Sequence, residues 1–480
     1  MDLINELREI VGKDRITDSR AVCRAYSYSC FLGMNWETVP DLVVIAQTPE
    51  QVSKILKLAN QYKTPVTPRG AAGQGGHGGP LHGGILLDLT PMEKIIAMDV
   101  ENMKAIAEAG CSFFKLSQEL FKKGLMLPTA EYGPGPSVAA SAITPVNAFG
   151  KTRYGRNIDL VEGFEVVLPD GEIIQVGSMA YADKEFGPFY RYITGPDLVG
   201  LFTQSNGAFG IVTKVAYRCL KRPKHWAFHS YYWPLESVEQ VKDVLLEGTA
   251  LEMFDVHVND KYKYLGLEYL KLLPPLPEDC HFIVYFTVNS DHQAELSAKE
   301  KTVHELAVSH GGKLLPGLAE SFFAIWPTFF CPVSNPIASA ITKIVLDVVK
   351  GNYMYIYDSL TYPTSWFPEV YVKLMEIGKK YEIWESPRFT VFDGFAMKSQ
   401  VMCSQTWAFV DYNDEHWIEQ IRRCRDEFRE WFGQRGGVFQ SMLPPLTPDY
   451  TWTNQPGAHA LLKKIKALLD PNDILSPGTF

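Results

Sequence analysis

Between Pro68 and Asp88 the chain reads PRGAAGQGGHGGPLHGGILLD, with eight glycines in twenty-one residues. No other stretch restricts the fold so tightly. Glycine loses more conformational freedom on folding than any other residue. That cost is offset where main-chain N–H groups converge on a ligand that leaves no room for side chains, above all a diphosphate. Gly73-Gln74-Gly75-Gly76-His77-Gly78 also satisfies G-x-G-x-x-G. In a Rossmann unit that motif opens a helix whose N-terminus receives the pyrophosphate. Here a turn, Pro80 to Gly84, and an apolar strand, Ile85-Leu86-Leu87, follow instead. The motif fails its own context, and a dinucleotide fold of another kind is expected.

At 480 residues the chain is long enough for two or three domains. A formal net charge of −9 argues against nucleic acid as a partner. No run reaches the roughly 18 apolar residues of a membrane span. The opening MDLINELREIVGKDR lacks the apolar core of a signal peptide, so the cytoplasm is the expected location. Eight cysteines are scattered without a CxxC pair, which argues against iron–sulfur or zinc ligation and for buried, reduced thiols. No metal site is expected.

The pattern begins with a short apolar strand, Leu42 to Ile45. Thr48-Pro49-Glu50-Gln51 then opens a helix, with Thr48 as N-cap, Pro49 at N1 and Val52, Ile55, Leu56 and Ala59 on one face. A second strand, Thr64 to Thr67, leads into the glycine loop. Beyond Lys94 come a strand at Ala105 to Ala107, a helix from Phe113 to Lys123 and a strand from Gly163 to Leu168. Pro169-Asp170-Gly171-Glu172 turns that strand into Ile173-Ile174. A further strand runs from Gly210 to Val215, and Leu220 to Pro223 marks a boundary. An aromatic-rich region of alternating strands and helices occupies about 224–435, its histidines isolated. A final helix with Leu461, Leu462, Ile465, Leu468 and Leu469 stops at Asp470-Pro471-Asn472.

Four colinear blocks resemble the FAD-binding fold of the vanillyl-alcohol oxidase and p-cresol methylhydroxylase (PCMH-type) family. They are the PRGAAGQGGHGG loop; Ser137-Val138-Ala139-Ala140 with Tyr154-Gly155-Arg156 and the GFEVVLPDGEII hairpin; Gly195-Pro196-Asp197 through Asn206 to GIVTK; and the tail from Leu469 to Gly478. The resemblance implies an α+β fold: an FAD-binding domain over 1–222, built from subdomains of about 1–92 and 93–222. It also implies an α+β cap over 223–435 and a segment, 436–480, returning to the FAD domain. The residues it assigns to FAD are Pro68, Arg69, Gly70, Ala71, Ala72, Gly73, Gln74, Gly75, Gly76, His77 and Gly78 in the loop. Pro136, Ser137, Ala140, Ser141, Tyr154, Gly210, Ile211 and Val212 complete the set.

The departures from that family narrow the chemistry. Its phenol-oxidising branch holds phenolate with two tyrosines and an arginine, and those positions read here as Gln74, Phe439 and Gln440. An acidic residue that follows the Tyr-Gly pair in that branch reads as Arg156. An arginine there can grip a substrate carboxylate bidentately or stabilise reduced flavin near N1; the alternative is a surface arginine paired with Asp159. Arg156, Gln440 and Gln74 are thus the candidate catalytic positions. Glu131, Tyr154, Asp393 and His77 are candidate bases. The run Asn206 to Thr213 is similar to the D-lactate/glycolate dehydrogenase branch, but that branch's histidine-rich metal motif is missing. The segment Met397 to Phe409, where relatives attach FAD covalently, holds Cys403 and Ser404 but no histidine or tyrosine. Non-covalent FAD is expected.

The resemblance therefore implies an FAD-dependent oxidoreductase that takes hydride from a hydroxyl-bearing carbon. The rival readings are a flavin electron-transfer subunit, a 4-alkylphenol or vanillyl-alcohol type oxidase or hydroxylase, and a flavin-binding scaffold without catalysis. The resemblance also leaves room for a redox partner protein of cytochrome, iron–sulfur or flavoprotein type and for a homo-oligomer, beside the small-molecule substrate.

Overall fold

A computed structural model describes residues 3–27, 38–71, 79–128, 135–144, 149–185, 187, 190–192, 195–262, 275–315, 353–384, 391–411, 414–439 and 449–480. The loop residues Ala72 to Gly78, with Gln74 and His77, lie outside the described residues, as do Glu131 and Gln440. The Asp393 side chain is likewise outside them.

The first unit contains β1 (Ile16–Thr17), β2 (Leu42–Ile45), β3 (Val66–Arg69) and β4 (Ile85–Asp88), in the order β1-β2-β4-β3. β4 lies parallel between β2 and β3. Parallel neighbours need a crossover, and the helix Pro49–Tyr62 is the one that joins β2 to β3. Thr48 Oγ1 accepts the Gln51 N–H at 3.2 Å. Gln51 Oε1 accepts the N–H of Gln47, one residue earlier than in a capping box. Val52, Ile55, Leu56 and Ala59 are fully buried against the sheet. The strand expected at Thr64 starts two residues later. The Thr64 N–H is taken by the helix end, at Ala59 O, and Pro65 has no N–H to give.

The second unit supplies β5 (Ile95–Asp99), β6 (Lys104–Glu108), β7 (Leu125–Met126), β8 (Val161–Val167), β9 (Ile173–Gly177), β10 (Ile211–Arg218) and β11 (Leu220–Lys221). Five of them form an antiparallel sheet, β5-β6-β10-β8-β9, while β7 pairs with β11. The β8–β9 turn forms as the sequence predicts: Gly171 takes a φ of 86° and Asp170 Oδ1 accepts the Glu172 N–H at 2.8 Å. The two units share one apolar core, which runs from Leu7 to Leu475.

The third unit is an antiparallel sheet. Its strands are β12 (His225–Trp233), β13 (Asp255–Asp260), β14 (Phe282–Ser290), β15 (Lys313–Leu314), β16 (Tyr353–Pro363), β17 (Val391–Met397), β18 (Val401–Asp411) and β19 (Val438–Phe439). Among the described residues they run β15-β12-β14-β13-β17-β18-β16-β19. Successive side chains on a strand point to opposite faces. Val256, Val258, Val284, Leu360, Phe392 and Met402 share a core with the helices Val238–Ala250, Gln293–Ser309, Phe367–Lys380 and Glu415–Gln434. The alternate positions look toward the second unit.

Backbone clips join these layers. Gly150 N–H donates to Asp255 Oδ2 at 2.6 Å, and Val256 N–H to Thr152 Oγ1 at 2.9 Å. The C-terminal helix, Pro456–Leu469, sends the tail back to the first sheet. Val66 N–H donates to Ile474 O at 2.7 Å and Ser476 N–H to Val66 O at 2.9 Å. Leu475 thereby extends that sheet beyond β3 as a single parallel bridge.

Candidate FAD and substrate site

A cleft of about 760 Å³, open to solvent, runs between the end of β3 and the second unit. Its walls include Pro68, Arg69, Gly70, Ser137, Ala140 and Val212, and the tail adds Ser476, Pro477 and Thr479. Gly70 is the point of closest approach. A Cβ there would collide with Ser137 Oγ and stand 3.1 Å from Ala140 Cβ. Gly207 has a φ of +78°, and a Cβ there would meet Pro68 Cγ at 2.6 Å. Glycine is thus required on both sides of the groove. Val212 and its neighbour Ile211 both pack in the core, and Val212 also lines the cleft. Gly210 sits against Val166 at the entry to β10. Pro136 is buried and its carbonyl accepts the Phe113 N–H, while Ala71 is exposed at the head of the loop.

Arg69 is turned away from the groove. Its guanidinium donates to the Tyr26 carbonyl and stands 5.0 Å from the Tyr26 ring centroid. Tyr26 O–H in turn donates to Asp88 Oδ2 at 2.9 Å. Burial lowers the Arg69 guanidinium and raises the Tyr26 hydroxyl from their ordinary values. What Arg69 contributes to the groove is backbone and stem.

Next to the cleft-lining Ala140, buried polar groups gather. Ser141 Oγ is buried without a partner, and so are both ends of the Asn157 side-chain amide. The short helices that carry them, Ala140–Ile143 and Asn157–Leu160, pack together. Buried polar atoms are rarely left unpaired. A flavin ring, with its edge of carbonyls and ring nitrogens, is a ligand that satisfies such groups. With the glycine groove, these residues fit FAD.

Above them lies the inner face of the third sheet. Strand register puts Tyr285, His257, Phe395, Cys403 and Thr361 in one row, with Asn259, Gln405 and Ser359 in the next. All but Thr361 are buried. His257 stacks on Phe395 at 3.9 Å between ring centroids. Lys151, fully buried, sets its ammonium 2.8 Å from the Phe395 ring centroid. Cys403 is on this inner face, whereas Ser404 is on the outer face and bonds the Tyr362 hydroxyl at 2.6 Å. Phe439 packs with Phe432 in the core on the helix side.

Arg156 reaches into this space. Gly155 before it has a φ of +82°, where a Cβ would strike Asp159. Asp159 Oδ2 accepts the Arg156 backbone N–H at 2.7 Å. The guanidinium is therefore not the partner of Asp159. It extends to the cap, where Nη2 lies 3.5 Å from Thr361 Oγ1, 205 residues away in sequence. Arg156 Nε is buried and bonds no other described group. Tyr154 is half-buried and packs edge-on against Phe254, with ring centroids 6.2 Å apart. The residues sequence reasoning missed, Lys151, His257 and Thr361, carry no local motif, whereas Ser476 lies within the tail block. Only strand register and the returning tail bring them here.

The family models match this chain as an FAD binding domain over residues 40–177 and as the C-terminal domain of FAD linked oxidases over 447–480. The chain is 32% identical to a D-lactate dehydrogenase [cytochrome], mitochondrial, of Arabidopsis thaliana, over 47% of this chain and 38% of that one. It is 30% identical to a D-lactate dehydrogenase of Anaerostipes hadrus, over 53% of this chain and 54% of that one. It thus spans about half the length, or less, of these curated relatives. A 4-ethylphenol oxidase from Gulosibacter chungangensis, solved with isoeugenol, shares the fold at a TM-score of 0.85. Identity there is 18%, over 99% of this chain and 96% of that one. The chain thus shares a segment with each of the two family models, and it has the PCMH-type FAD-binding fold. Among the described residues, no helix is long and apolar enough to cross a membrane, and no group of three His, Cys, Asp or Glu is gathered as metal ligands.

Proposed function

We propose that this chain is an FAD-dependent oxidoreductase that takes hydride from a carbon bearing a hydroxyl, with a 2-hydroxy acid as substrate. The observation that carries the reading is the buried, unpaired Nε of Arg156, facing the inner face of the cap sheet. A guanidinium there can hold a carboxylate through two parallel hydrogen bonds. The groove at Gly70 and Ser137 would hold FAD, which would supply the hydride acceptor when bound. The chain's own part is to bind, orient and keep water out. Arg156 fixes the substrate carboxylate, Thr361 limits the swing of the guanidinium, and the row from His257 to Cys403 closes the site from above. Electrons would then pass to a redox partner protein, a reading supported by the relative whose name specifies cytochrome.

Phenol oxidation is the rival. Phe439 lies in the helix-side core, so this position supplies no donor to a phenolate. The test is anaerobic stopped-flow reduction of the flavin by p-cresol, vanillyl alcohol and a set of 2-hydroxy acids. We expect a 2-hydroxy acid to reduce it fastest, and Arg156→Gln to lose on the order of 10² in the rate with that acid. Rapid reduction by p-cresol, or an unchanged rate with the acid in Arg156→Gln, overturns the reading.

A further inference from the structure

A second pocket, of about 480 Å³, opens where the helix Lys151–Tyr154 meets the start of β13 and the end of β14. It shares no lining residue with the FAD cleft or with the inner row of the cap sheet. Arg153 forms one wall. Its guanidinium leans over the Tyr154 ring at 5.3 Å and makes no hydrogen bond or ion pair with another described residue. Asn289 forms the floor. It is 4% exposed, lines the pocket, and its Nδ2 is buried without a partner. Lys299 closes the far side, donating to Asn289 O at 2.9 Å and pairing with Glu295 at 2.7 Å. Met253, Phe254 and Val288 supply an apolar wall, and Glu252 is the single acid of the lining.

The donors define the ligand. Lys299 is already paired with Glu295, which leaves the Arg153 guanidinium as the cation of the lining without an ion pair among the described residues, and a monoanion is what it can take. A planar guanidinium and a buried amide donor, both in the lining, are groups that suit a carboxylate. The apolar wall suits a short hydrocarbon or aromatic body attached to that carboxylate. An unpartnered, buried amide N–H is costly unless something accepts from it. We propose that this pocket is a binding site for a small organic carboxylate, distinct from the catalytic centre. The proposal does not rest on the reading of the FAD site.

The probe is benzoate, titrated calorimetrically into the flavin-loaded protein, with benzamide as its neutral counterpart. Arg156→Gln, which lacks the guanidinium of the catalytic site, should bind benzoate saturably at one site, and the wild type should bind it at least as well. Arg153→Gln should bind it at least about tenfold more weakly, the cost of one charge-assisted pair. Lys299→Gln should weaken it as well, and benzamide should bind the wild type more weakly than benzoate. An unchanged flavin spectrum certifies each variant as folded; should Arg153→Gln lose its flavin, Lys299→Gln carries the test. Absence of saturable heat in the wild type overturns the proposal. So does wild-type affinity in Arg153→Gln, or in Lys299→Gln where it carries the test. Binding lost in Arg156→Gln but kept in Arg153→Gln places benzoate in the catalytic site and equally refutes it.

Discussion

Gly70 is the position at which the FAD groove is most exposed to a single atom. In Gly70→Ala the new Cβ overlaps Ser137 Oγ, stands 3.1 Å from Ala140 Cβ and 3.4 Å from Ser137 Cβ. The hydroxyl can rotate away, but it then gives up the Ala140 N–H, which it accepts at 3.4 Å. A hydrogen bond of this kind contributes about 1 kcal/mol, or about fivefold in an equilibrium constant. Gly70→Val adds two γ-carbons where Ala140 already crowds the β-carbon, and overpacking of that sort costs about 1–3 kcal/mol more. The affinity of the apoprotein for FAD should therefore fall about fivefold in Gly70→Ala and about 30- to 1000-fold in Gly70→Val, read by fluorescence titration. Gly457→Ala is the control, because a Cβ at Gly457 meets nothing within 4 Å. Gly312 would not serve, since it packs under the Trp233 indole. The decisive variant is the double one. Ser137→Ala removes the atom that Gly70→Ala strikes, so the pair should bind FAD better than Gly70→Ala alone. FAD affinity within threefold of wild type in Gly70→Val, or no relief in the double variant, refutes this account of the groove.

The flavin should leave the protein on acid or heat precipitation, because the candidate attachment segment has no histidine or tyrosine; fluorescence that stays with the denatured chain on a gel, and disappears in Cys403→Ser, would contradict this. Burial pushes the His281 imidazole down to about 4, and its Nε2 lies 2.7 Å from the Tyr371 hydroxyl. The native state keeps this ring neutral while the unfolded chain protonates it below about 6.5, so stability falls as pH drops from about 6.5 toward 4, by about 3 kcal/mol at the lower end. His281→Gln should flatten that part of the urea-unfolding profile against pH, and an equally steep profile would exclude His281 as its source. Lys466 Nζ ties the tail down, donating to Ala208 O and Leu475 O and pairing with the buried Asp470. Lys466→Met removes the cation beside that carboxylate, which keeps the Ile474 and Leu475 N–H groups, at a cost of about 2 kcal/mol; hydrogen exchange at the Val66 and Ser476 amides should accelerate, and unchanged protection would contradict the anchoring role.

Local order was legible in the sequence wherever a cap, a turn or a periodic apolar face specifies itself. Thr48 and Pro49 start their helix, Asp170-Gly171 turn their hairpin, and Val52 to Ala59 bury the face their spacing predicts. Those features depend on neighbours three or four residues away, so they are written in the chain. The glycine loop likewise excluded a Rossmann helix, because the residues after it turn and then extend into β4.

What the tertiary structure alone decided is which of these elements meet. Arg156 and Thr361, Gly150 and Asp255, and Val66 and Leu475 are partners across more than a hundred residues, and no local pattern names them. The side of β18 that carries Cys403 inward and Ser404 outward follows from pairing with β16 and β17, since a slip of one residue would exchange them. Arg69 shows the same limit from the other direction. The motif sets its backbone at the groove, while the Tyr26 carbonyl, beside the Tyr26–Asp88 pair, takes the guanidinium. A motif sets the path of the backbone, whereas the direction of a side chain is settled by what packs beside it.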